Sequence, residues 1–348
     1  MANGNFGGGD GTELTPFLVE DAYDLWAVRD NLSAHYKQIA DIDLNVYSTD
    51  DGWIPIGQET AEFTGVYDGD NYEIRNLWCN NLVGNNGMFG YIRDGAKLKN
   101  ILLKNTIIAR AGDWTGGLVG GCDNLSENAI VNCHVTGIIN ELNINKTNIG
   151  GLVGVVNSAN TTTIDNCSFE GQVFSSYAST ASGHIGGLIG RKNTNLVRCW
   201  SKGSVIAPGT AYVGGLVGSN LSGYCVYSYS LCDVQGSIYV GGFMGQGGGG
   251  TTLNCWSRGN VQGNKYVGGF IGGQSTGNLI INRCYSTGFV QGYSDVGGFC
   301  GRLSGGTIEN SVWDIETSGQ TTSSGGIGKT TAEMKNKQTY LDMGWVIV

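Results

Sequence analysis

A six-residue phrase built around two adjacent glycines returns seven times along this chain, and few folds can accommodate such a demand. It stands as Thr115-Gly116-Gly117-Leu118-Val119-Gly120, then as IGGLVG from Ile149, IGGLIG from Ile185, VGGLVG from Val213, VGGFMG from Val240, VGGFIG from Val267 and VGGFCG from Val296. Successive Gly-Gly pairs lie 34, 36, 28, 27, 27 and 29 residues apart. A second phrase follows each, 13 to 17 residues after the first glycine: Asn132-Cys133-His134, Asn166-Cys167-Ser168, Arg198-Cys199-Trp200, Ser228-Tyr229, Asn254-Cys255-Trp256, Arg283-Cys284-Tyr285 and Asn310-Ser311-Val312. A third phrase, as in Gly259-Asn260-Val261-Gln262-Gly263, closes the unit. A recurrence at this period is the signature of stacked supersecondary units that bury their apolar faces only against one another. Each unit predicts three short strands separated by turns, which make one coil of a parallel β-solenoid. Every strand then pairs with its copy about 4.8 Å away in the next coil. Right-handed winding is expected, because right-handed crossovers dominate. Roughly ten coils would give a rod on the order of 50 Å long.

The glycine demand is visible in composition: 60 of 348 residues, against about 7% in ordinary proteins. A Gly-Gly pair suits a tight corner, because glycine tolerates positive φ and lets backbones approach closely. Strand alternation then sends Leu118, Leu152, Leu188, Leu216, Phe243, Phe270 and Phe299 inward as an apolar ladder. Cys133, Cys167, Cys199, Cys255 and Cys284 share another column, with Ser228 and Ser311 in two coils. This reads as a file of small inward side chains. In-register side chains point the same way, so disulfides between them have poor geometry, and free thiols imply folding in a reducing compartment.

The repeats define residues 111–312 as the solenoid proper. Residues 1–110 form an N-terminal cap with irregular first coils, and residues 313–348 a C-terminal cap. In the first, Asp21 to Leu32 is amphipathic with Leu25, Val28 and Leu32 on one face, which predicts a short cap helix. Strand-like phrases follow at Tyr36–Leu44, Phe63–Leu77 and Met88–Leu103, with Asp68-Gly69 and Asp94-Gly95 as turns. In the last, Thr330-Thr331-Ala332-Glu333 is a capping box that opens a short helix.

The VGGLVG phrase resembles the Glug motif of large bacterial and phage surface proteins. The stretches Gly9 to Glu13, Ala40 to Leu44 and Phe63 to Gly69 are similar to the leader that precedes Glug repeats. Trp313 to Gln320 with Gly328 to Met334 is similar to the segment that ends them. The resemblance implies a β-solenoid in a surface or adhesive setting and carries over no catalytic residue.

Chemistry is sparse. The net charge is −9 and no basic cluster offsets it, which argues against nucleic acid as a partner. No apolar run reaches membrane-spanning length, and Met1-Ala2-Asn3-Gly4 opens no signal peptide. No cofactor and no metal is expected, since no CxxC pair occurs. His134 and His184 occupy repeat positions filled elsewhere by Trp or Tyr, and read as substitutions in a ladder. Ser323 to Thr330 imitates a phosphate loop without its first glycine and reads as a loop entering the cap helix. Gly247 to Gly250 reads as a coil corner. The acidic pairs Asp41/Asp43 and Asp68/Asp70 keep open a depolymerase of the tailspike type, since polysaccharide cleavage needs an acid and a base.

The pattern most suggestive of binding is aromatic. Trp200, Tyr229, Trp256 and Tyr285 follow the cysteine column, and Tyr212, Tyr239 and Tyr266 stand two residues before Gly-Gly pairs. If cysteine faces in, its neighbour faces out, so these side chains should form a flat outward ribbon suited to stacking on sugar rings. The expectation is therefore a non-enzymatic structural or adhesive protein that displays a glycan- or receptor-binding face. A phage tail-fibre, receptor-binding or decoration protein, folded in the cytosol and carried on a virion, comes first. A secreted bacterial adhesin is the alternative.

Overall fold

The computed structural model describes residues 5–80, 84–110, 112–141, 148–158, 162–176, 183–275 and 277–346. The chain is a parallel β-solenoid of about nine turns. Among the described residues the strands form four sheets, of 11, 14, 8 and 8 strands, and every strand pairing is parallel. One coil shows the plan: Tyr212–Gly214, Val217–Ser222, Tyr224–Val226 and Tyr229–Gln235. There are thus four strands per coil and not three. Gly215 and Leu216 form a bend that divides the first predicted strand in two. Register repeats residue for residue, with Tyr212 opposite Tyr239 and Val213 opposite Val240.

The corner glycines serve close approach alone. None of the seven Gly-Gly pairs takes a left-handed φ. A Cβ on Gly214 would lie 1.9 Å from the Val217 carbonyl oxygen, and one on Gly215 would lie 2.1 Å from that of Gly242 in the next coil. The Leu and Phe that follow are fully buried, and Phe243, Phe270 and Phe299 stack with centroids 4.7 and 4.9 Å apart.

Left-handed backbone occurs instead one residue before the cysteine column, at Asn132, Asn166, Arg198, Tyr227, Asn254, Arg283 and Asn310. Asparagine adopts that region readily, and here its side chains form a second ladder. The Asn166 amide donates to Asn132 Oδ1 at 3.0 Å, and the Asn132 amide to Asn100 Oδ1 at 2.9 Å. The carbonyl two residues before the column already accepts a backbone amide from the coil before, as Val197 O does from Asn166 N at 3.0 Å, and the column side chain adds a second bond to it. Sγ of Cys133, Cys167 and Cys199 donates to the carbonyls of Val131, Asp165 and Val197 at 3.2–3.3 Å. Ser228 and Ser311 make the same bond from Oγ. The same atoms accept from the coil before: Cys199 N donates to Ser228 Oγ, and Cys284 N to Ser311 Oγ, both at 3.1 Å. Cysteine and serine share the column because it needs a small donor and acceptor. All ten cysteines are buried and free.

At the N-terminal end the helix Ala22–Ala27, capped by Asp21, sends Leu25 and Val28 into the core. Parallel pairing begins at Phe17–Val19. The two eight-stranded sheets start only at Asn85–Asn86 and Phe89–Arg93, so the first coils are less regular. At the other end the capping box at Thr330 and Glu333 is formed. Two helices, Thr331–Met334 and Lys337–Leu341, stand where one was expected. Ser323 Oγ accepts from the Phe299 and Cys300 amides, which ends the hydrogen-bond ladder there.

Two outcomes follow. Gly242→Ala, whose Cβ would meet the Gly269 oxygen at 2.2 Å, should lower stability by about 1–3 kcal/mol in urea unfolding. Cys199→Ser should be near neutral, whereas Cys199→Val, which loses the side-chain bonds to the Val197 and Ile164 carbonyls, should cost about 0.5–1.5 kcal/mol. Equal effects of the two cysteine variants would refute the hydrogen-bonding account of the column.

Candidate functional site

The 14-stranded sheet carries the broadest outward face of the rod. On the strand Tyr229–Gln235, Ser230, Cys232 and Val234 point inward, and Tyr229, Leu231, Asp233 and Gln235 point outward. Register copies that face coil after coil. Trp200, Tyr229, Trp256 and Tyr285 are direct partners, are half-buried, and stack at 6.0, 4.3 and 5.7 Å with planes within 6° of parallel. The predicted ribbon is real in this column. Tyr212, Tyr239 and Tyr266 do not join it. They lie in one of the eight-stranded sheets and form a second, less coplanar stack at 5.4 and 4.7 Å. His184 extends that second stack, 4.8 Å from Tyr212. His134 stands in the first column beside Ser168, at 2.7 Å. Both histidines are therefore ladder members.

Toward the C-terminus the first ribbon opens into a groove of about 1090 Å³, walled on its far side by the two terminal helices. Trp256 and Tyr285 form its floor, with Tyr227, Arg258, Arg283, Tyr340 and Trp345 around them. The Arg258 guanidinium lies 4.8 Å from the Trp256 centroid and donates from Nη2 to the Tyr285 hydroxyl at 3.1 Å. Trp345 Nε1 donates to the Asn310 carbonyl at 2.8 Å and its ring meets Tyr340 edge-on, which pins the wall. Asp314 caps the helix Ile315–Ser318 and accepts from Thr331 Oγ1. On the other edge of the same face, Gln235, Gln262 and Gln291 stack in register beside a cavity of about 580 Å³. Sequence reasoning missed this glutamine row, although its signal, Val-Gln-Gly at 234–236, 261–263 and 290–292, recurs with the period. It also missed Arg258, Arg283 and Tyr340, which sit outside the repeated phrases or vary within them.

The acidic candidates are occupied elsewhere. Asp41 accepts from Arg75 at 3.0 Å and Asp70 from Lys37 at 3.1 Å. Hydrogen bonds from Asn76 and the Asn45 amide hold Asp43 below the usual carboxylate range. Burial pushes Asp68 up, but bonds from Asn100 and Lys99 outweigh it and leave its pKa lowered. A general acid needs the opposite shift. These residues are the polar edge of the first coils.

No family model matches the chain. A Gly-rich membrane protein of Evansella cellulosilytica is 36% identical over 132 residues, which is 35% of this chain and 15% of the relative. The immunoglobulin A1 protease of Streptococcus pneumoniae is 30% identical over 218 residues, 60% of this chain and 10% of the relative. The chain thus spans a small fraction of the curated relatives it matches. A solved structure of an IgA1 protease superposes with TM-score 0.51 at 20% identity, covering 76% of this chain and 21% of that one, a likeness of fold. The chain is in these terms a β-solenoid that resembles parts of an IgA1 protease and of a Gly-rich membrane protein.

Burial, with a smaller contribution from Arg191, pushes the His184 imidazolium down to about 4. The unfolded chain takes up that proton near pH 6.5, so it binds more protons than the fold between those values. Stability should therefore fall as the pH drops from about 6.5 toward 4 and be level above that window. His184→Tyr, matching its neighbour Tyr212, should flatten this slope in urea midpoints measured from pH 4 to 8. An unchanged slope would assign the acid sensitivity to other groups.

Proposed function

We propose that this chain is a non-enzymatic, surface-displayed β-solenoid module of the Glug-repeat type, which binds glycans along the ribbon of Trp200, Tyr229, Trp256 and Tyr285. The observation that carries this reading is the coplanarity of four half-exposed rings at coil spacing, running into a groove large enough for several sugar units. Aromatic faces offer wide apolar contact at low entropic cost, and nearby polar groups orient a hydroxyl-rich ligand. Of the settings weighed above, the cell surface takes precedence over the virion, because one relative is named a membrane protein and another is a streptococcal protease. Proteolysis is not carried over to this chain, since the match spans a tenth of that protease. The non-enzymatic reading draws support from the four acidic candidates, each engaged by neighbouring side chains.

Binding of the whole chain to a panel of bacterial and host glycans tests the reading. Wild type should bind selected glycans, and a Trp256→Ala/Tyr285→Ala variant should lose at least about tenfold in affinity, the scale of one or two aromatic contacts. A Tyr239→Ala/Tyr266→Ala variant controls for loss of stacking elsewhere and should keep binding. Equal binding by all three, or release of shortened glycans by the wild type, would overturn it.

A further inference from the structure

We infer that the C-terminal groove selects carboxylated glycans, those built with uronate or sialate units, over their neutral counterparts; this rests on the glycan-binding reading and adds the ligand's charge. The chain as a whole carries −9, yet the groove is cationic. Arg258, Arg283 and Lys335 line it, and Asp314 is the one carboxylate among its lining residues. That carboxylate is buried and already engaged. Oδ1 accepts from the amides of Glu316 and Thr317 and from Thr331 Oγ1, and Oδ2 accepts from Thr331 Oγ1 again.

The three cations, like Lys97, Lys104 and Lys265, have no ion pair among the described residues, and here they are gathered in one groove. In the first coils Lys37, Arg75, Arg93 and Lys99 are each neutralised by an adjacent carboxylate, and further along Arg198 pairs with Asp165 and Lys202 with Glu170. Among the described residues no ion pair reaches Arg258, Arg283 or Lys335. Arg258 is also held in place. Its guanidinium lies over Trp256 at 4.8 Å and near Tyr285 at 5.9 Å, with one nitrogen tied to the Tyr285 hydroxyl. That leaves N–H groups free in a fixed plane beside the rings on which a sugar would stack. A guanidinium fixed in this way recognises a carboxylate by paired hydrogen bonds. The remainder of the surface is acidic and repels polyanions at long range, so the preference belongs to the groove alone.

The test measures the whole chain by calorimetry against matched pairs that differ in the charge of the carboxyl group: oligogalacturonate and its methyl ester, and sialyllactose and its methyl ester. At least one acidic member should bind about tenfold or more tightly than its neutral partner, and less tightly as salt rises, as charge-assisted contacts do. Arg258→Gln and Arg283→Gln should each shrink the ratio of acidic to neutral affinity. Both positions are solvent-accessible, and unfolding midpoints equal to wild type would certify the variants. Equal binding of charged and neutral members would overturn the inference and leave the glycan reading intact. A charge preference that both arginine variants retain would overturn it as well. Absence of binding to every pair and to the wider panel would remove both.

Discussion

The distance at which one coil meets the next is set at the Gly-Gly corners, and the remaining order of the rod follows from it. Where a Cβ would fall about 2 Å from the neighbouring backbone, no other residue allows the same approach. Seven such corners at one height force the coils into common register. Common register in turn brings like side chains together: phenylalanine on phenylalanine inside, asparagine on asparagine at the left-handed turn, and thiol or hydroxyl on thiol or hydroxyl beneath it. Each coil contributes one copy of each contact, so stability accumulates by neighbours and not through a single central core.

The inward ladder, the cysteine column and the two ends were legible because each is a period-locked pattern. Leu216 and Phe243 are buried as alternation required, and Glu333 folds back to Thr330 as its spacing required. The number of strands per coil was not legible. A bend at Gly215-Leu216 leaves no trace in an apolar phrase that reads equally well as one strand. The role assigned to the corner glycines erred in the same way, because sequence marks a need for glycine without separating positive φ from close approach. Positive φ went to Asn132 and its equivalents, where even Arg198 and Tyr227 accept it, a conformation that costs a non-glycine residue about 1–2 kcal/mol.

The candidate site was half visible. Column arithmetic found the four coplanar rings but merged them with a second stack that belongs to another sheet. The groove itself depends on where the terminal helices come to rest against the face, and that placement turns on single contacts such as Trp345 to Asn310, which no repeat encodes. Arg258 occupies the register position of Leu231, so its chemistry is local to one coil. Departures from the repeat are where a repetitive scaffold acquires an individual site.

The absence of any covalent bond between coils has a mechanical meaning. All ten cysteines are free, and the hydrogen bonds joining coils run along the rod while the strands lie across it. Tension applied through the two chain ends therefore loads those bonds one coil at a time, as in opening a zipper, and not all together as in shearing two sheets. Each coil that peels away frees the 27 to 36 residues of one repeat. A rod built in this way should lengthen in steps under load, with the outward face kept in every coil that remains stacked.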